Sequence, residues 1–344
     1  MQKIYLFNLT SNFHLLLALS YIRYKEIDIR DTLFVTFRGV RLPDRIKDRL
    51  LFDSSSTTFM GRWKMFLKEK ERIKKLINGK KIISFSPYQY SHPFKRYYHE
   101  YNFIEEGFSA YTNKNHKSTA KDVLKEIIKV LFINLRFPFQ NKNVKGFLMG
   151  SDFSFKASHG YEIIVCSDDA FSRNVNDGYM RKCVVPISPE LRGKAVVKGS
   201  FIVVMDRISP TGRPFDKNNY LKVLNETLIT LGLPHTHLYV KMHPSDFGNR
   251  DITDEVKTFF NSAGIDAIFT DDNLESIALT DSNNTFIGTN STILYYAPVF
   301  GKSNSSISFA RKLAHVDDDY SAFLNGWGGV EEFCELFSKK VQCL

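Results

Sequence analysis

The sequence has little of what marks several protein classes. It carries 4 cysteines in 344 residues, too few for a disulfide framework at this size. No two of Cys166, Cys183, Cys334 and Cys343 stand at metal-ligand spacing, so a thiol-built zinc site is not expected. A reducing compartment is the default expectation for such cysteine usage. The 19 glycines and 11 prolines follow no period, which excludes collagen-like and low-complexity structure. Long apolar runs are scarce as well. Near the N-terminus the longest, Phe13 to Leu19, contains His14, and spanning a bilayer takes about 20 apolar residues. No basic stretch followed by an apolar run and a small-residue cleavage site opens the chain, so no secretory signal is expected. Together these absences lead to the expectation of a soluble cytoplasmic protein, at most peripheral to a membrane.

Aromatic and basic residues are plentiful. With 30 Phe and 16 Tyr the chain has far more apolar surface than a disordered polymer carries, so it is expected to fold around a core. Lys and Arg number 47 against 37 Asp and Glu, a net charge of +10 that favours an anionic partner. Nucleic acid, an anionic membrane surface and a phosphate-bearing substrate all fit that charge. Nucleic acid is disfavoured, because the basic residues are dispersed and no helix-turn-helix, zinc or RNP pattern accompanies them. The length suggests two domains.

Periodicity gives the organisation. Lys3 to Asn8 reads as a strand, Phe13 to Ile22 as a helix capped by Ser11 or Asn12, and Thr32 to Phe37 as a second strand. Trp63 to Asn78 is a lysine-rich helix, and Ile82 to Ser86, Phe103-Ile104 and Tyr161 to Val165 are further strands; Ala120 to Ile133 reads as helix. Residues 186–199 hold Pro186, Pro189 and Gly193 with little periodicity, and are read as a linker. A second strand–helix series then starts with Ser200 to Met205 and continues through Leu238 to Met242, Ala267 to Thr270 and Thr285 to Ile287, with helices between. The expected class is α/β, two Rossmann-like domains facing a cleft (1–185 and 200–344), with ligands beyond the carboxyl ends of the strands.

Three short clusters fall at such ends. Glu105-Glu106-Gly107 follows a strand; one carboxylate could act as a general base, and the plainer alternative is a solvated acidic turn. Lys241 and His243 alternate onto one face of a strand that ends at Pro244, where a histidine could bind a phosphate oxygen and protonate a leaving group. The plainer alternative there is a histidine capping a loop. Gly288-Thr289-Asn290-Ser291-Thr292 precedes the helix Ile293 to Phe300 and could present N–H groups and hydroxyls to an anion. It lacks both phosphate-binding glycine fingerprints, and a simple helix cap is the alternative. Glu275 could bind ribose hydroxyls or be a surface residue. Asp206-Arg207 and Arg38, each at a strand end, could be structural, and Asp168-Asp169 lacks partners for a metal.

The order of these pieces, Glu105-Glu106-Gly107, then His243-Pro244, then Ser291-Thr292, resembles the bacterial sialyltransferases of GT-B fold, the lipooligosaccharide sialyltransferases and capsular polysialyltransferases. NLTSNFHLLLAL at the start and Phe37-Arg38-Gly39 look similar too. The resemblance implies an inverting, metal-independent transfer of sialic acid from its CMP-activated form to a hydroxyl of a cell-surface glycan. It implies Glu105 as general base and His243 as general acid. Lys241, Pro244, Glu275, Asn290, Ser291 and Thr292 would hold the donor in the C-terminal domain, with Glu106, Gly107 and Arg38 on the acceptor side. No cofactor is implied beyond the donor substrate. The partners would be a nucleotide-sugar donor and an oligosaccharide or glycolipid acceptor, at the inner face of a bacterial inner membrane. The alternatives are another GT-B transferase or an epimerase acting on a different nucleotide-activated sugar, or an anionic-surface or nucleic-acid binding protein.

Overall fold

The computed structural model describes residues 2–37, 40–54, 59–87, 99–105, 107, 161–168, 170, 180–187, 198–210, 212–233, 237–243, 245–246, 248–280, 282–326 and 328–344. Arg38, Glu106, Pro244, the helix read over Ala120 to Ile133 and most of the expected linker lie outside them. The described residues fall into two compact units, one up to residue 187 and one from residue 198.

The first unit is built on seven strands: β1 (Lys3–Leu9), β2 (Thr32–Phe37), β3 (Leu50–Ser54), β4 (Lys81–Ser86), β5 (Glu100–Ile104), β6 (Tyr161–Val165) and β7 (Met180–Val184). They pair in the order β3-β2-β1-β4-β5-β6-β7, with every pairing parallel. Parallel strands are covered on both faces and so read as continuous apolar runs. All of TLFVTF in β2 is buried, as are the last four residues of β1. Phe7 of β1 stacks on Phe34 of β2 at 5.7 Å and on Phe85 of β4 at 5.1 Å, which places the aromatic centre of the core on the middle strands. Helix α1 (Asn12–Tyr24) covers this sheet, and Ser11 is its cap, its side chain accepting the His14 N–H. Helix α2 runs Phe59–Ile77.

The second unit has six strands: β8 (Phe201–Val204), β9 (His237–Lys241), β10 (Asp266–Phe269), β11 (Thr285–Gly288), β12 (Ser305–Ser308) and β13 (Gln342–Cys343). Their order is β10-β9-β8-β11-β12-β13, again all parallel. Counted from β8, this is 3-2-1-4-5-6, the dinucleotide-fold order, whose direction reverses between the first and fourth strands. The helices are α3 (Lys217–Thr230), α4 (Arg250–Ser262), α5 (Leu274–Ala278), α6 (Thr292–Phe300), α7 (Ala310–Val316), α8 (Asp318–Asn325) and α9 (Val330–Ser338). Asp216, Asn249 and Asn273 cap α3, α4 and α5 through their side chains.

The α/β class with two Rossmann-like parallel-sheet units therefore stands as expected. Four strands escape the sequence reading. β3 sits among charged residues, β7 carries Arg181 and Lys182, and β13 is two residues long. β12 reads SSIS, yet Ser306 and Ser308 are buried in it. A hydrophobicity pattern cannot reveal a strand whose buried residues are serines, because nothing in a serine's polarity marks it for burial before its neighbours cover it.

Candidate functional site

Ligands of an open parallel sheet sit outside the carboxyl ends of the strands, at the point where strand order reverses. In the second unit that point lies between β8 and β11. The chain leaving β8 is Met205-Asp206-Arg207, and the chain leaving β11 is Thr289-Asn290-Ser291. β11 ends in Gly288, where a Cβ would stand 2.9 Å from the Val204 carbonyl oxygen of β8. Glycine is what lets the two strands run this close up to the crevice.

Asp206 and Thr289 join across the reversal. The Thr289 hydroxyl donates to Asp206 Oδ2 and lies 3.0 Å from Asn290 Oδ1, while the Asp206 backbone N–H donates to the Tyr220 hydroxyl at 3.1 Å. Burial pushes the Asp206 carboxyl up to about 6, against the opposing bonds from Thr289 and Tyr220. The Thr289 carbonyl is held from the other side, since the Ser308 hydroxyl of β12 donates to it at 2.5 Å. The turn is thus fixed by both neighbouring strands. Ser291 occupies the N-cap of α6 in extended backbone, and its hydroxyl makes no bond to that helix. An uncapped first turn with its positive dipole end suits an anion.

His243 lies beyond the end of β9, on the other side of β8. The Ser245 N–H donates to its Nδ1 at 3.1 Å. A nitrogen that accepts carries no proton, so the imidazole proton sits on Nε2 and is available as a donor. Burial lowers the pKa of His243, with Arg207 lowering it further and Asp246 opposing. Arg207 therefore stands close enough to act on this histidine. Asp246 is fully buried and accepts the N–H of Ile208 at 2.5 Å and that of Ser209 at 3.3 Å. It ties the loop after β9 to the loop after β8. The same β8 loop holds two guanidinium groups by its own atoms: Arg207 Nε donates to Ser209 Oγ at 2.9 Å, and Arg213 Nη1 to the Ile208 carbonyl at 2.9 Å.

A separate group lies on the β9–β10 side. Lys241 is half-buried, and burial lowers its pKa while Asp271, Asp272 and Glu275 hold it up. The carboxyl of Glu275 is raised by burial, with its own backbone N–H and Lys241 opposing. Lys241 is thus neutralised from α5 and the loop before it. Among the described residues no group of three or more His, Cys, Asp or Glu side chains is placed to hold a metal ion.

In the first unit, Glu105 is fully buried, and its Oε2 accepts the Cys166 N–H at 2.8 Å; its own N–H donates to the Ile164 carbonyl at 2.9 Å. The residue joins the ends of β5 and β6, which excludes the alternative of a solvated acidic turn; its proposed role as a general base is not decided by this placement. Gly107 has φ of 105°, a value that favours glycine, and it too is buried.

The structure therefore brings together Asp206, Arg207, His243, Asp246 and Thr289, of which the sequence argument weighted only His243 and the Gly288 to Thr292 turn. Arg213 and Asp246 carry no sequence signal of their own. Their roles come from two loops meeting, a contact between residues 37 and 38 apart in the chain in the case of Asp246.

No family model and no curated protein matches the chain. Among solved structures, it is similar to a protein from Listeria monocytogenes provisionally described as a UDP-N-acetylglucosamine 2-epimerase. The match has a TM-score of 0.46 and 13% identity, and covers 99% of this chain and 92% of that one. That structure is not a sialyltransferase, and the resemblance drawn from three short motifs is corrected on this finding. The physical reason is that two of the three motifs are ones that parallel strand ends generate by themselves. A glycine turns the chain after β5, and a serine or threonine begins the helix after β11. Their order along the chain follows from having two such sheets in succession.

Proposed function

We propose that the chain is a carbohydrate-processing enzyme of the GT-B kind and that its second unit binds a nucleotide-activated sugar. The observation that carries this is the strand order of the second sheet. Its reversal point places Asp206-Arg207 and the Gly288 to Thr292 turn on either side of one crevice, with His243 one strand away. Neighbouring strands lie roughly 4.8 Å apart, so the ends of β9 and β11 are separated by about 10 Å, the span of a sugar phosphate with part of its nucleotide.

In this reading His243 donates a hydrogen bond from Nε2–H to a phosphate oxygen, and Ser291 and Thr292 with the first turn of α6 receive a second oxygen. Arg207 offsets the charge. Such fixed donors would stabilise a departing nucleotide phosphate without reorganising. Asn290 and Glu275 supply acceptors for ribose hydroxyls. The net charge of +10 favours the anionic substrate in the encounter.

Calorimetry against a panel of UDP- and GDP-activated sugars tests the reading, paired with the doubly substituted Ser291→Ala, Thr292→Ala protein. One donor class should bind in the micromolar range and lose at least tenfold in affinity in the variant. Absence of binding across the panel at millimolar ligand, or equal affinity in the variant, would remove the assignment. With the bound sugar in hand, product analysis with and without added acceptor sugars separates transfer from epimerisation.

A further inference from the structure

At the far edge of the second sheet, Cys334 of α9 and Cys343 of β13 face each other. Both are free thiols, and the Cys343 thiol donates to the Cys334 backbone carbonyl, its sulfur 3.8 Å from that oxygen. They line an open pocket of about 550 Å³ whose other walls include Arg311, Glu331 and Glu335. The Arg311 guanidinium is anchored by Glu331 Oε2 at 3.0 Å, and its Nε, buried, makes no hydrogen bond.

We propose that Cys334 and Cys343 form a peroxide-sensitive thiol pair that closes to an intramolecular disulfide. Cys334 is the attacking sulfur. Hydrogen bonding with Cys343, with Arg311 nearby, lowers the pKa of its thiol against burial, which favours the thiolate. Cys343 is raised, first by that same hydrogen bond, and keeps its proton. Access selects the oxidant. Cys334 is only 1% exposed, which bars a peptide disulfide, and the pocket it helps to line is the route left for a small hydroperoxide.

The chemistry balances with hydrogen peroxide as the oxidant. The Cys334 thiolate attacks one peroxide oxygen, the O–O bond breaks, and the departing hydroxide takes up a proton to become water. Cys334 is left as the sulfenic acid. Once it is capped in this way, the bond that raised Cys343 is gone. Cys343 then attacks the sulfenic sulfur, and its proton leaves with the hydroxyl as a second water. Two thiols have been oxidised by two electrons and one peroxide reduced. The closed disulfide would tie edge strand β13 to α9. Cys343 pairs in register with Ser308, the residue that holds the Thr289 carbonyl, so the bond forms two strands away from the crevice. The proposal is independent of what that crevice binds.

The test uses the whole chain, treated under native conditions with a few equivalents of hydrogen peroxide and then denatured. Thiol titration should fall from four to two, intact mass should drop by two hydrogens, and peptide mapping should place the cross-link at 334–343. Cys343→Ser should lose no hydrogens and instead gain one oxygen, as a sulfenic acid at Cys334 that dimedone traps. Four thiols retained in the wild type, a cross-link at Cys166 or Cys183 instead, or a Cys343→Ser protein that gives no dimedone adduct would each overturn the proposal. The wild-type mapping decides it even where a substitution prevents folding.

Discussion

A histidine whose Nδ1 is taken by a backbone N–H has one thing left to offer a ligand, the proton on Nε2. His243 is in that position, and its lowered pKa keeps the ring neutral at pH 7. Replacing it by alanine removes a hydrogen-bond donor to the phosphate and should lower turnover by about 10²-fold, within the usual range for a lost fixed donor to developing charge. Nitrogen-detected NMR of the free protein should show the Nε2–H tautomer and no protonation until below the usual histidine range. An Nδ1–H tautomer would contradict the assigned role.

Asp206 makes a prediction about pH. Its folded pKa of about 6 lies above the ordinary 3.8, so between these values the folded state holds a proton that the unfolded state has lost. Its contribution to stability is complete below about pH 4 and disappears as pH rises through 6, by at most on the order of 3 kcal/mol. Asparagine cannot titrate. Urea unfolding at pH 4, 5.5 and 7 should therefore show the wild type losing stability relative to Asp206→Asn as pH rises. Parallel curves would mean that the carboxyl is not held out of water at the reversal point.

At the scale of elements, the crevice depends on two loops being held together. Asp246 does this by accepting N–H groups from Ile208 and Ser209, both in the loop that also carries Arg207. Alanine at 246 leaves those donors without their acceptor, and a buried unsatisfied N–H costs about 1–3 kcal/mol. Asp246→Ala should lower stability by about 2–4 kcal/mol and weaken nucleotide-sugar binding as the β8 loop loosens. Asp246→Asn, which keeps one acceptor oxygen, should recover part of both. Thermal unfolding and calorimetry on the pair would show it. Unchanged affinity in a destabilised Asp246→Ala protein would mean that the loop does not serve the ligand.

For the whole molecule, the two sheets repeat one plan, with order reversing at β1/β4 and again at β8/β11. Only the second reversal gathers a histidine, arginines and an uncapped helix start among the described residues. A nucleotide alone should therefore slow hydrogen exchange at 206–209, 243–246 and 289–294 and leave 9–11, at the end of β1, unaffected. Protection appearing at 9–11 instead would move the nucleotide to the first unit. No helix among the described residues is long and apolar enough to cross a membrane.

The amino-acid sequence by itself determined the class. Apolar runs such as TLFVTF and YEIIV mark buried parallel strands because both of their faces are covered, and alternation with capped helices then leaves few topologies. It also determined that a histidine would stand just past one strand and a polar turn past another. Only the tertiary structure decided what those positions do. Glu105, which reads as a candidate general base or a solvated turn, is buried against the backbone N–H of Cys166, just past β6 and 61 residues away. Asp206, one acidic residue among many in the sequence, becomes a titrating group because folding buries it, against the opposing bond from a threonine 83 residues on. Local pattern reports which residues avoid water. Burial of a charge, its partner and its pKa depend on contacts between distant segments, and these exist only once the chain has folded.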